Sequence, residues 1–208
     1  MSPGNPAANR DHGHPRPWTR AWDRCPAATR PPLTPAGVAP AKAIGRSRSR
    51  EGVMQRELAS PFPDRRCFFC GADNPQGLGL RFFYDDATGE ISTQYVPEER
   101  FVGQGDILHG GIQMGLLDEL MGWACVAHSG EMAVTADMRC RFLRPLRIAG
   151  RPVRAVCRVT GRQGPKVHME AVLTDADGAV CMRATGTYHV LSPERYEALV
   201  QGNASGAG

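Results

Sequence analysis

The sequence predicts an α+β fold in which one long buried helix packs against an antiparallel sheet. Three observations predict it. From Gly110 to Ala127 the only polar side chains are Gln113, Asp118 and Glu119, and a helix apolar on nearly all sides is a buried one. Four strand-like runs then follow with no second helical stretch between them, at 133–143, 151–161, 166–174 and 179–190. Their connections at Ala149-Gly150, Gln163-Gly164-Pro165 and Asp177-Gly178 are residues that reverse a chain. Consecutive strands joined this way form an antiparallel sheet rather than a doubly wound parallel one.

The 208 residues suffice for one sizeable core, but charge is unevenly spread along them. Residues 1–53 hold nine Lys+Arg against three Asp+Glu, and nine of the seventeen prolines; the remainder holds sixteen against eighteen. The net +4 therefore belongs to the first segment, and the body carries no nucleic-acid signature. That segment lacks apolar periodicity and reads as disordered; Met54 offers a second reading, a start assigned too far upstream. It has no apolar stretch of the kind a secretory signal needs, and its prolines spoil the amphipathic helix of a transit peptide. No run is long enough for a membrane helix. Residues 54–77 then form a lead-in with Cys67 and Cys70, 78–192 the folded domain, and 193–208 a C-terminal tail.

Within the domain, runs at 78–84 and 90–96 flank Asp85-Asp86-Ala87-Thr88-Gly89, a hairpin signal. The helix should run from Gly110 to Ala127 and end near Ser129-Gly130. At about 100° per residue, Gly111, Gly115, Asp118, Gly122 and Cys125 share one lane, opposite Ile112, Leu116, Leu120 and Trp123. An interior glycine costs about 1 kcal/mol against alanine. Three on the lane of Asp118 imply that a ligand, a strand or a partner helix comes close there.

Asp118 needs a reason to be in such a helix, because burying an unpaired charge is costly. At the other end, Gly110 and Gly111 present the free N–H groups of the helix start with no side chain in the way, as an oxyanion site requires. Gly111 and Asp118 lie about 10.5 Å apart along the axis. Both cannot act on one carbonyl within a chain, since such contacts sit near 3 Å. A shared site therefore needs two copies, and a dimer is expected. Of the two adjacent carboxylates only one can face the glycine lane, and that is Asp118; Glu119 would pair with an arginine of the sheet or of a partner chain.

The residues His109-Gly110-Gly111, with Asp118 seven beyond Gly111, resemble the signature of the hotdog-fold acyl-CoA thioesterases, in the PaaI-like branch that uses aspartate. The likeness continues through Ala133–Met138 (Ala-Val-Thr-Ala-Asp-Met), Phe142-Leu143-Arg144-Pro145, Asp175-Ala176-Asp177-Gly178 and Ala184-Thr185-Gly186-Thr187-Tyr188, and covers roughly residues 67–190. Upstream, Cys67-Phe68-Phe69-Cys70-Gly71 with Asn74-Pro75-Gln76-Gly77-Leu78 is similar to the lead-in of one subgroup. The resemblance implies a curled antiparallel sheet wrapped around one long central helix, joined as a homodimer or a dimer of dimers. It implies that the Gly111 N–H binds the thioester oxygen, that Asp118 is nucleophile or general base, and that Thr135 helps to place water. His109 would orient the loop and contact the carbonyl, with Gly110, Gly115, Gln104 and Glu119 lining the substrate. Several relatives carry an asparagine six residues before the histidine. Gly103 stands there here, and Gln104 beside it is the candidate for the missing amide.

Neither a metal nor a nucleotide cofactor is expected. Cys67 and Cys70 form a C-x-x-C, but a structural zinc usually takes four ligands and no second pair is visible, so a local structural role is favoured. Cys125, Cys140, Cys157 and Cys181 read as small core residues, and the absence of paired spacings fits a reducing cytoplasm. Arg139, Arg141, Arg144, Arg147, Arg151, Arg154 and Arg158 read mostly as a solvated face, with one or two as candidates for the phosphates of coenzyme A. Two other functions stay open: a non-catalytic acyl-CoA-binding module, and a dehydratase or hydratase on the same fold.

Overall fold

The computed structural model of the chain describes residues 55–60 and 65–201. Its elements are β1 (Gln55–Glu57), β2 (Phe82–Asp85), β3 (Ile91–Tyr95), α1 (Gly110–Ser129), β4 (Ala133–Phe142), β5 (Val153–Gln163), β6 (Lys166–Thr174), β7 (Val180–Val190) and α2 (Pro193–Gln201). All strand pairs are antiparallel, in one sheet of order β1-β2-β3-β5-β6-β7-β4. The sheet curls around α1, which packs against every strand from β2 to β7. This is the predicted α+β arrangement. The expectation for residues 1–53 falls outside the described residues.

Local chemistry accounts for the boundaries. The His109 side chain caps the start of α1, and Gly130 ends it at φ 70° with its N–H on Val126 O, a conformation only glycine adopts cheaply. In the β2–β3 turn, Asp85 Oδ1 accepts from the N–H groups of Ala87 and Thr88. Leu116, Leu117, Leu120 and Met121 are sealed from solvent against Phe82, Ile91, Met169, Leu173 and Met182. Trp123 stacks on Phe82 with ring centroids 4.5 Å apart. Two elements were not expected. β1 is three exposed polar residues without an apolar pattern, and α2 occupies most of the presumed tail.

Residues 78–81, expected to open the first strand, turn instead to the lead-in: Leu78 N–H bonds Phe68 O and Leu80 N–H bonds Phe69 O. The lead-in in turn lies on α1. A Cβ on Gly115 would sit 2.0 Å from Phe69 Cζ, so the close neighbour that the glycine lane implied is, at this position, an aromatic ring of the same chain. Gly71 closes the turn after Cys70, its N–H on Cys67 O at 2.9 Å. A Cβ there would meet Arg65 O at 2.4 Å and Cys67 N and O at 2.5 Å. All three are backbone atoms that cannot swing aside. Gly71→Ala should therefore destabilise the fold by on the order of 3 kcal/mol, the upper end of overpacking costs, read as a lower urea midpoint at unchanged m-value.

β4 differs from every other long strand. It is the free edge of the sheet, pairs only with β7, and is exposed or half-buried along its whole length. Ala136 is an extra residue in its ladder, because Thr135 pairs with Tyr188 but Asp137 with Thr187. A bulge of this kind reverses which face the side chains before it occupy.

Candidate active site

The bulge decides where Thr135 points. By strict alternation Thr135 would share the outer face with Arg139 and Arg141. One extra residue puts it instead on the inner face with Met138, Cys140 and Phe142, beside its cross-strand partner Tyr188. Both reach Asp118 on α1. Thr135 Oγ1 donates to Asp118 Oδ1 at 2.8 Å, and the Tyr188 hydroxyl donates to the same Oδ1 at 2.5 Å and to Asp118 O at 2.8 Å.

Two donors thus hold one carboxylate oxygen, while Oδ2 accepts no hydrogen bond among the described residues. Tyr188 is almost wholly buried, and burial, reinforced by the Asp118 carboxylate, pushes its phenol far above the ordinary tyrosine range. It remains a proton donor to Asp118 at any working pH. Burial, with the same carboxylate behind it, also raises the Cys140 thiol. Tyr188 ends the run Ala184-Thr185-Gly186-Thr187-Tyr188, and nothing in that run marks it for a role. Only the pairing of β7 with β4 puts it opposite Thr135, and the sequence signal for that is no more than an aromatic at an inward strand position. Tyr188→Phe should cost about 1.5–3 kcal/mol of stability at neutral pH, as loss of a hydrogen bond to a charged group does, measured by urea unfolding. No change would mean that the bond contributes nothing to holding Asp118.

At the other end of α1, His109 Nδ1 accepts the Gly111 N–H at 3.0 Å. The donor expected for a carbonyl is therefore engaged by the histidine in this state. The neutral ring then carries its proton on Nε2, free to donate outward. Ile112 and Gln113 N–H groups bond His109 O, and the Gly110 N–H makes no hydrogen bond among the described residues. Gln113, buried, donates through Nε2 to Leu108 O at 2.7 Å, which ties the loop before the helix to its first turn. The Phe142 ring lies against Gly110, since a Cβ there would be 3.3 Å from Phe142 Cζ. Gly103 abuts His109, an added Cβ meeting His109 Cα at 3.2 Å. Gln104 is exposed in the turn beside it.

The structure does not bring all expected site residues together. Asp118 and Thr135 meet, with Tyr188 added; His109, Gly110 and Gly111 form a second group one end of the helix away. Two expectations are corrected. Gly115 does not face open space for a substrate, because the Phe69 ring covers it. Glu119 pairs with no arginine among the described residues: its Oε1 accepts from Trp123 Nε1 at 3.1 Å and its Oε2 from the Cys67 thiol at 3.7 Å. Adjacent helix positions diverge by about 100°, which sends Asp118 to the sheet edge and Glu119 to the lead-in. Of the late-strand arginines, Arg147, Arg151 and Arg158 pair with Asp106, Asp177 and Glu170, and Arg139 stands 3.6 Å from Asp137. Arg141 and Arg183 sit directly opposite each other across β4 and β7, exposed and without a carboxylate partner among the described residues, a like-charge pairing that an anion would relieve.

Residues 105–182 match the family model of the thioesterase superfamily. That segment takes in the His109–Gly111 loop, Asp118 and Thr135 and stops short of Tyr188. The chain is 29% identical over 101 residues to a provisionally named esterase of Thermoplasma volcanium, covering 48% of this chain and 74% of that protein. A second such esterase, of Saccharolobus solfataricus, is 30% identical over 95 residues, 45% of this chain and 66% of the relative. Among solved structures, a thioesterase superfamily protein superposes with a TM-score of 0.55 at 23% identity, covering 60% of each chain. The E. coli PaaI protein from the phenylacetic acid degradation operon gives 0.50 at 20% identity, covering 55% of this chain and 81% of its own. At such identities the structural likeness speaks for the fold. No helix among the described residues is long and apolar enough to cross a membrane.

Proposed function

We propose, for a chain whose residues 105–182 match the thioesterase superfamily model, that it hydrolyses an acyl-CoA thioester to the free acid and thiol. The observation that carries the reading is the posture of Asp118: Oδ1 is held by Thr135 and Tyr188, and Oδ2 is left to attack the carbonyl or take a proton from water. Donors fixed on one oxygen aim the other, which is how a carboxylate is pre-organised for base or nucleophile work. Thr135 keeps its oxygen lone pairs free to accept from the attacking water. The thioester oxygen would replace His109 Nδ1 as acceptor of the Gly111 N–H, with the Gly110 N–H and the His109 Nε2–H beside it, donors aimed at the charge that develops in the transition state. Arg141 and Arg183 are the arginines best disposed to meet coenzyme A phosphates. Gln104 is the candidate for the amide role that asparagine has in several relatives.

Within one chain the two halves stand about 10.5 Å apart along the helix, so the proposal requires a second copy. β4 supplies the means: a ten-residue strand with a free edge is a template for pairing with itself. Antiparallel pairing of two β4 strands about their middle sets the Thr135 end of one copy against the Phe142 end of the other. Phe142 touches Gly110, so Asp118 of one chain is carried toward the glycine loop of the second. The described cysteines form no disulfide, which suits a reducing cytoplasm.

The test is thiol release from short, medium, long-chain and aryl acyl-CoAs by the full chain, beside equilibrium binding of the same ligands. Release identifies the hydrolase and its acyl class. Binding without release from any of them would leave an acyl-CoA-binding module.

A further inference from the structure

We propose that Cys67, Cys70 and Glu119 form a zinc site that fastens the lead-in segment to α1. The sulfurs of both cysteines and a carboxylate oxygen of Glu119 lie within 4.8 Å of one another, although Glu119 is 52 residues from Cys67. A tetrahedral zinc with Zn–S near 2.3 Å and Zn–O near 2.1 Å has an S···O edge of about 3.6 Å. The Cys67 Sγ to Glu119 Oε2 distance is 3.7 Å, so these two donors already span one edge of the tetrahedron.

The surroundings suit a cation in three ways. Glu119 is a half-buried carboxylate with no Lys or Arg paired to it among the described residues, and a buried charge without a counter-charge is costly. Its second oxygen is fixed by Trp123 Nε1 at 3.1 Å, an outer-shell bond of the kind that orients metal carboxylates. The Gly71 turn folds the chain so tightly over Cys67 that no side chain fits at 71, which holds both thiols toward α1. A Cys67–Cys70 disulfide would leave Glu119 Oε2 without its thiol donor. A metal engages all three groups.

Two thiolates with one carboxylate select zinc over magnesium or calcium. Binding releases the two thiol protons to solvent and leaves a site of net charge −1, with water in the fourth position. The metal would clamp Phe69 onto Gly115 and bind at the helix position next to the reactive carboxylate, about 100° around α1 from it. The segment that the family model matches, 105–182, contains only one of the three ligands.

The full chain, isolated without chelator, should contain about one zinc per chain, as a site of this ligand set would. It should lose thermal stability on chelation and regain it with added zinc, a readout that needs no variant. Cobalt(II) exchanged into the site should give the visible bands of a tetrahedral ion with a thiolate charge-transfer band. Cys70→Ser should abolish zinc retention, and Glu119→Gln should weaken it by about tenfold or more, each variant first shown to be folded by circular dichroism. The proposal is overturned if the wild type neither carries nor takes up zinc, if freshly isolated protein holds a Cys67–Cys70 disulfide, or if Cys70→Ser retains zinc like the wild type.

Discussion

Asp118→Asn is expected to lower kcat for acyl-CoA hydrolysis by about 10² to 10⁴, the usual contribution of a positioned base, and to leave KM within a few-fold. The amide keeps an oxygen where Oδ1 was, so Thr135 and Tyr188 retain their acceptor and the fold should hold. What disappears is the basic oxygen on the other side. A fall in kcat without a fall in kcat-independent binding is the signature of an interaction made in the transition state. An unchanged rate would sink the Asp118 assignment, and Glu119 could not easily replace it, since both its oxygens are turned to Trp123 and Cys67.

The second large effect concerns assembly. Asp118→Asn and Gly111→Pro should each be nearly inactive alone, yet mixed and refolded together they should recover about a quarter of the wild-type rate. Random pairing makes half the dimers mixed, and each mixed dimer has one intact site of two if sites are built across a two-fold axis. Proline at 111 removes the N–H in the first turn, where α1 tolerates it. A mixture as inactive as its parents would mean that each site lies within one chain. The edge position and exposure of β4 make the shared site the expected outcome, because nothing else in the fold brings Asp118 to the glycine loop.

Much of this architecture was legible along the chain. Periodicity predicted α1 and the strands to within a few residues of where they lie, because each is long, apolar and bounded by residues that reverse or cap a backbone. β1 left no trace, being three polar residues held by their neighbour β2. α2 was hidden in a polar stretch read as tail. The glycine lane announced a close approach, and Phe69 on Gly115 supplies one, but nothing in the local pattern named the ring. The role of Glu119 was missed for the same reason. Its partners Trp123 and Cys67 come from four residues along its own helix and from a segment 52 residues away.

The sequence by itself determined the fold class, the buried helix and the carboxylate that needs a reason. All three follow from short-range rules: helical period, burial of apolar faces and the cost of isolated charge. Only the tertiary structure decided which groups surround that carboxylate. One unpaired residue, Ala136, turns Thr135 inward, and a period-two reading of β4 would have sent it to the solvent face. The pairing of β7 with β4 then sets Tyr188 beside it. Register is a property of two strands at once, and the contacts it creates cannot be read from either strand alone.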